Sequence, residues 1–116
     1  MNFRIDTTAD PNVGVVTLSG RIDAGNSNEL QNSFMSWVLE TSLFVFDCTN
    51  LDFIDSSGLG AIVSCLRKAL ERKGDLKLAG LGSKVAMVFE LTKAKKLFSI
   101  FPDAGSAVRS FENSEP

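Results

Sequence analysis

The stretch "LDFIDSSGLG", Leu51 to Gly60, decides how this chain is read. The residues before it, "SLFVFDCT" at 42–49, are almost continuously apolar, as in a central strand buried on both faces. From Ser56 the period becomes helical, with Leu59, Ile62, Val63, Leu66 and Leu70 on one stripe. A buried strand thus gives way to a helix across two adjacent serines, with Asp55 before them and Gly58 and Gly60 after. Arg67, Lys68, Arg72 and Lys73 crowd the last turns, where cations suit the helix dipole, and Gly74 is a C-cap signal.

Upstream, "FRI" at 3–5 and "VGVVTLSG" at 13–20 read as an antiparallel edge hairpin turning at "ADPN". A helix follows. Asn26 is its expected N-cap with Glu29 in capping-box spacing, and Leu30, Phe34, Trp37 and Val38 form its apolar face. Trp37 is therefore read as core. Downstream, "DLKLAGL" supplies a strand, Ser83 caps a third helix through Val85, Val88 and Phe89, and "KLFSIF" holds a short last strand. "PDAGSAVRSF" is a terminal helix capped by Asp103, and residues 112–116 form a frayed tail. The order β-β-α-β-α-β-α-β-α implies an α/β domain spanning 1–111. Its sheet of four or five strands is mostly parallel, with an antiparallel N-terminal edge hairpin and four or five helices. Residues 50–58 then fall at the carboxyl ends of the strands, where such sheets bind ligands and partners.

Composition narrows the function. The 116 residues are 44% hydrophobic and 22% charged, with net charge −2, a globular balance that argues against nucleic acid as main partner. No apolar run approaches the ~18 residues that span a bilayer, and "MNFRIDTTAD" lacks the pattern of a signal peptide, so the expected location is cytoplasmic. Cys48 and Cys65 lie in apolar surroundings without CxxC spacing and read as small core residues. The chain has no histidine, which removes the commonest general base and metal ligand.

Around Ser56 the first glycine of a G-x-S-x-G hydrolase elbow is missing. A third dinucleotide-binding glycine is replaced by Val63, and no Gly-Lys-Ser/Thr of a phosphate loop is present. A phospho-aspartate receiver would want an acidic pair after an early strand, whereas Asp23 stands alone between Ile22 and Ala24. The acids are too scattered to define a metal site, and no cofactor is expected. Two roles remain for the junction. Asp55 or Ser56 is an N-cap, contributing about 1 kcal/mol. Alternatively a serine there accepts a phosphate, whose ~1.5–2 negative charges the helix N-terminus tolerates, with Asp55 and Asp52 close by as like charges. Spacing alone favours the cap.

The segment "LDFIDSSGLGAIVSCLRKALERKGDLKLAGL" resembles the central motif of the bacterial anti-sigma factor antagonists, small single-domain members of the STAS superfamily. "LSGRIDAGNSNEL" and "VFELTKAKKLFSIFPDAGSAV" extend the likeness over about Phe3 to Phe111. The resemblance implies a non-enzymatic partner switch. The protein would bind an anti-sigma factor serine kinase and free a sigma factor, be released by phosphorylation, and be restored by a metal-dependent serine phosphatase. By the same likeness Ser56 is the acceptor, Ser57 its neighbour and Asp55 the motif acid, while Asp23 lies in the loop facing the site. Asp52, Gly58, Leu59 and Gly60 complete the expected partner-binding environment. One departure stands out: Thr92-Lys93-Ala94 replaces the family's Thr-Gly-Leu after the third helix. The alternative is a non-switching STAS subunit of a lipid-transport ATPase or of a larger signalling assembly.

Overall fold

In the computed structural model, which describes residues 1–112, five strands lie in the order in which the chain makes them. Strand β1 (Asn2–Asp6) pairs antiparallel with β2 (Val13–Ile22), and β3 (Leu43–Ile54), β4 (Asp75–Ala79) and β5 (Ile100–Phe101) follow in parallel. Helices α1 (Ser27–Trp37), α2 (Ser56–Glu71) and α3 (Ser83–Leu91) form the crossovers, and α4 (Ala104–Arg109) ends the fold. Each crossover moves one strand outward in the same direction, so a constant right-handed connection stacks α1, α2 and α3 on one face. Their apolar sides meet Val16, Leu18, Phe44, Phe46, Leu76 and Leu78 in the larger core cluster. The alternate residues Val13, Val15, Val45 and Ala79 face the other way, onto Ala107 and Val108 of α4. This is the single α/β domain expected from the element order, with five strands and four helices.

Residue detail corrects several boundaries. The last strand is only Ile100–Phe101, because Ala94–Leu97 of "KLFSIF" and its approach form a 3₁₀ turn. Asn26 makes no side-chain cap on α1, and the residue at the α3 cap position is Gly82, with Ser83 already inside the helix. Asp103 caps α4 as expected, accepting from the Ser106 amide at 2.7 Å. After α2 the left-handed residue is Lys73, φ 63°, and not Gly74. Gly74 serves a different need: a Cβ there would collide with the Ser42 carbonyl.

Trp37 is half-buried and packs against the core, as read. Its ring stacks on Phe3 at 5.1 Å and 15°, which fastens the edge strand to α1. Both thiols are buried, and desolvation pushes Cys48 and Cys65 up to about 12. No helix among the described residues is long and apolar enough to cross a membrane. Of the expected tail at 112–116, only Glu112 lies within the described residues.

Candidate functional site: the β3–α2 junction

β3 runs five residues beyond the expected end at 49, and two irregularities in its pairing with β2 explain why the sequence hid this. Thr17 pairs with Asp47 but Ser19 with Asn50, and Gly20 pairs with Leu51 but Arg21 with Phe53. Each step inserts an extra residue in β3, so the strict alternation of faces is broken twice. Asp52 is the extra residue at the second step. It lines a recess with Thr49, Gly82 and Ser83, on the side away from the loop around Asp23. The strand then delivers Ile54 beside Ile22, so the ends of β2 and β3 finish together.

Asp55 turns the chain into α2. Its backbone is extended (φ −109°, ψ −173°), and its Oδ1 accepts from the Gly58 amide at 2.9 Å, the geometry of a capping residue. Its Oδ2 accepts from the Ala24 amide at 3.2 Å, and its own amide donates to the Ile22 carbonyl at 3.3 Å. One carboxylate therefore caps a helix and holds the neighbouring loop against it. Gly58 permits this approach, since a Cβ would overlap the Ile22 carbonyl and stand 2.9 Å from Ile54 Cγ1. Gly60 has no such role: a Cβ there would meet nothing within 4 Å. Leu59 points into the core.

The loop 22–26 is equally determined. Asp23 Oδ2 accepts from Arg21 Nε at 2.8 Å and Oδ1 from the Gly25 amide at 2.9 Å. The Arg21 hydrogen bond, then the Gly25 amide, hold the Asp23 carboxyl below its usual range. The Arg21 guanidinium lies 4.4 Å over the Phe53 ring, which is 43% exposed. Asn26, in place of capping α1, turns back: its Oδ1 accepts from the Asp23 amide and its Nδ2 donates to the Arg21 carbonyl, both at 2.8 Å.

Of the residues singled out in the sequence, Asp23, Asp55, Ser56, Ser57 and Gly58 share one corner, and Gly60 lies exposed one turn along. Asp52 faces another recess and Leu59 faces inward. Arg21 and Phe53 were not foreseen, and Asn26 was expected only as a cap; Arg21 and Phe53 meet because of the bulge at Asp52. Ser56 and Ser57 are exposed at the first two helical positions, and among the described residues no hydrogen bond engages either hydroxyl. Asp55 takes the capping role, which leaves both serines unspent. With this geometry in view, the STAS domain profile matches residues 4–107. The chain belongs to the STAS domain family. A curated relative is the anti-sigma-B factor antagonist of Staphylococcus aureus, 25% identical over 101 residues, covering 86% of this chain and 94% of the relative. Among solved structures, an anti-sigma factor antagonist from Mycobacterium paratuberculosis superposes with TM-score 0.78 at 23% identity, covering 94% of this chain and 92% of that one. The Bacillus cell fate determinant SpoIIAA in its phosphorylated form gives 0.68 at 16% identity, covering 92% and 96%.

Proposed function

We propose that this STAS domain is a phosphorylation-switched anti-sigma factor antagonist. In this reading it binds an anti-sigma factor serine kinase in the cytoplasm and so frees a sigma factor. Phosphorylation of Ser56 by that kinase ends the complex, and a metal-dependent serine phosphatase resets it. The chain itself is substrate and not enzyme. The observation that carries the reading is the division of labour at the junction: Asp55 makes the cap and the loop contact, while the Ser56 hydroxyl is exposed and free. A phosphate on it would add ~1.5–2 negative charges without breaking any hydrogen bond that holds the fold. The change would fall on the surface formed by Ser56, Ser57, Gly60 and the Asp23 loop, with Arg21 and Phe53 at its rim. A charge buried there against a partner without a matching cation costs several kcal/mol, enough to dissociate a complex.

The test is a binding assay with the kinase recovered from the same cell, with and without ATP. Ser56→Ala should stay bound when ATP is added, Ser56→Glu should bind at least 10-fold more weakly, and Ser57→Ala should still be released. Release of Ser56→Ala together with phosphate incorporation would show that the acceptor is elsewhere. Recovery of a transport ATPase as the only partner would replace the switch with the non-switching subunit.

A further inference from the structure

Beside Ser56 the surface is not flat. Ser56, Gly60, Val63 and Arg67 run along α2 at helical spacing and face Lys93 and Leu97 of the turn after α3, around a recess of about 450 Å³. Two cations line it. Arg67 stands roughly 16 Å along the helix axis from Ser56 at 1.5 Å per residue, too far for direct contact. Lys93 enters from the opposite element, and among the described residues no carboxylate lies within ion-pair distance of it. Lys95, two residues on, is by contrast bound to Glu90 at 3.2 Å.

The backbone fixes Lys93 in this place. Its φ of 65° and ψ of 8° are left-handed, a conformation glycine adopts most easily. Its amide donates to the Glu90 carbonyl and its carbonyl accepts from the Lys96 amide, both at 3.1 Å. The preceding Thr92 hydroxyl donates to the Val88 carbonyl at 2.7 Å and accepts from the Ala94 amide at 3.4 Å. A lysine is therefore held where the turn would be easier with glycine, and its side chain borders the recess that contains Ser56. The other charges at the corner are committed: Asp55 to the Gly58 and Ala24 amides, Asp23 to Arg21 and Gly25.

We infer that Lys93 is a phosphate-holding residue: its ammonium pairs with a phosphate on Ser56 across this recess and keeps the modified serine against the chain's own surface. The inference rests on Ser56 being the acceptor. It gives the switch an internal counter-charge beside two carboxylates, so that a partner reading the modified form meets a seated phosphate and not a free dianion.

The experiment places phosphoserine at position 56 during translation, without any kinase, and follows its phosphorus resonance against pH. The second phosphate ionisation, ordinarily near 6, should lie lower in the parent chain. Lys93→Gln should raise it by about three-quarters of a pH unit, the effect in water of one charge at ion-pair distance, ~4 Å. Lys93→Gly, which relieves the left-handed backbone and so does not lose the effect through misfolding, should raise it equally. Arg67→Gln should leave it in place. An unchanged ionisation in both Lys93 variants, or an equal rise in Arg67→Gln, would overturn the inference. Failure of the kinase to modify Ser56 would sink the switch proposed above, yet leave this titration as readable as before.

Discussion

Two helices begin side by side at the carboxyl end of the sheet, α1 after β2 and α2 after β3, and they are built in opposite ways. At α2 a side chain closes the first turn: Asp55 accepts from Gly58, and the helix presses so near β2 that Gly58 has no room for a Cβ. At α1 the closing acceptor is backbone. The Asp23 carbonyl takes the Asn26 and Ser27 amides at 3.1 and 2.8 Å, while the Asn26 side chain points back to Arg21 and Asp23. The first arrangement closes the turn with one side chain and leaves its exposed hydroxyls free. The second spends its polar groups on shaping a loop, and the two are joined through Asp55 by the Ala24 amide. The switch proposed above would change the charge of this surface at the first kind of helix start, with the second kind presented beside it.

The sharpest way to break this contrast is within α2 itself. Gly58→Ala drives a methyl into the Ile22 carbonyl, which is backbone and cannot turn aside. The expected loss is about 2–3 kcal/mol by urea unfolding, with the loop at 22–26 displaced. Gly60→Ala, one turn-side neighbour away, meets open space and removes a helix-interior glycine, so it should stabilise by about 0.5–1 kcal/mol. The same substitution two residues apart then changes sign. If both variants lost stability equally, the close approach of α2 to β2 would not be what fixes the junction.

Next in size is the removal of each helix's side-chain device. Asp55→Ala loses a cap and the bond to Ala24 together, and should cost about 1–2 kcal/mol. Asn26→Ala should cost less, about 1 kcal/mol, because α1 keeps its backbone closure through Asp23. Amide hydrogen exchange separates them further. Asp55→Ala should speed exchange at both Gly58 and Ala24, whereas Asn26→Ala should speed it at Asp23 and leave Gly58 protected.

Periodicity made the nine-element order legible, because the stripe from Leu59 to Leu66 and the run at 42–49 are largely buried, although Leu70, expected on the same stripe, is exposed. It also placed the Asp55–Gly58 corner at the strand ends. What it could not carry was anything created by pairing. The bulge at Asp52 lengthens β3 to Ile54 and sends that acid to a different recess, and no local pattern signals it. Asn26 has the residue type and spacing of a cap, but the competing acceptors and donors at Arg21 and Asp23 come from the loop's own path. The glycines illustrate the same limit. Gly58, Gly60 and Gly74 look alike in the sequence, and only their distances to Ile22 and Ser42 distinguish a required glycine from an optional one.

The smallest expected effect concerns the loop alone. Asp23 is held below its ordinary carboxyl range first by Arg21 and then by the Gly25 amide, so the folded chain releases this proton more readily than the unfolded chain. The stability it contributes is therefore present above the unfolded value, near 3.8, and is lost as pH falls from there through the lower folded value. Asp103, held down chiefly by the Ser106 amide at the start of α4, acts in the same window from the opposite side of the sheet. Asp23→Asn should flatten part of the acid limb of a stability–pH curve, and salt should shrink the difference, because the Arg21–Asp23 pair is open to solvent. Asp103→Asn should flatten the same part of the curve by a similar amount, and the double variant should be additive, since the two sites share no partner. Asp55 supplies the contrast. Asp55→Asn has one acceptor oxygen in place of two, so it can keep the Gly58 cap but not the Ala24 contact as well. An acid limb that remained unchanged in Asp23→Asn would mean that Arg21 serves Phe53 alone, and that the backbone turn through Asn26 suffices to shape the loop.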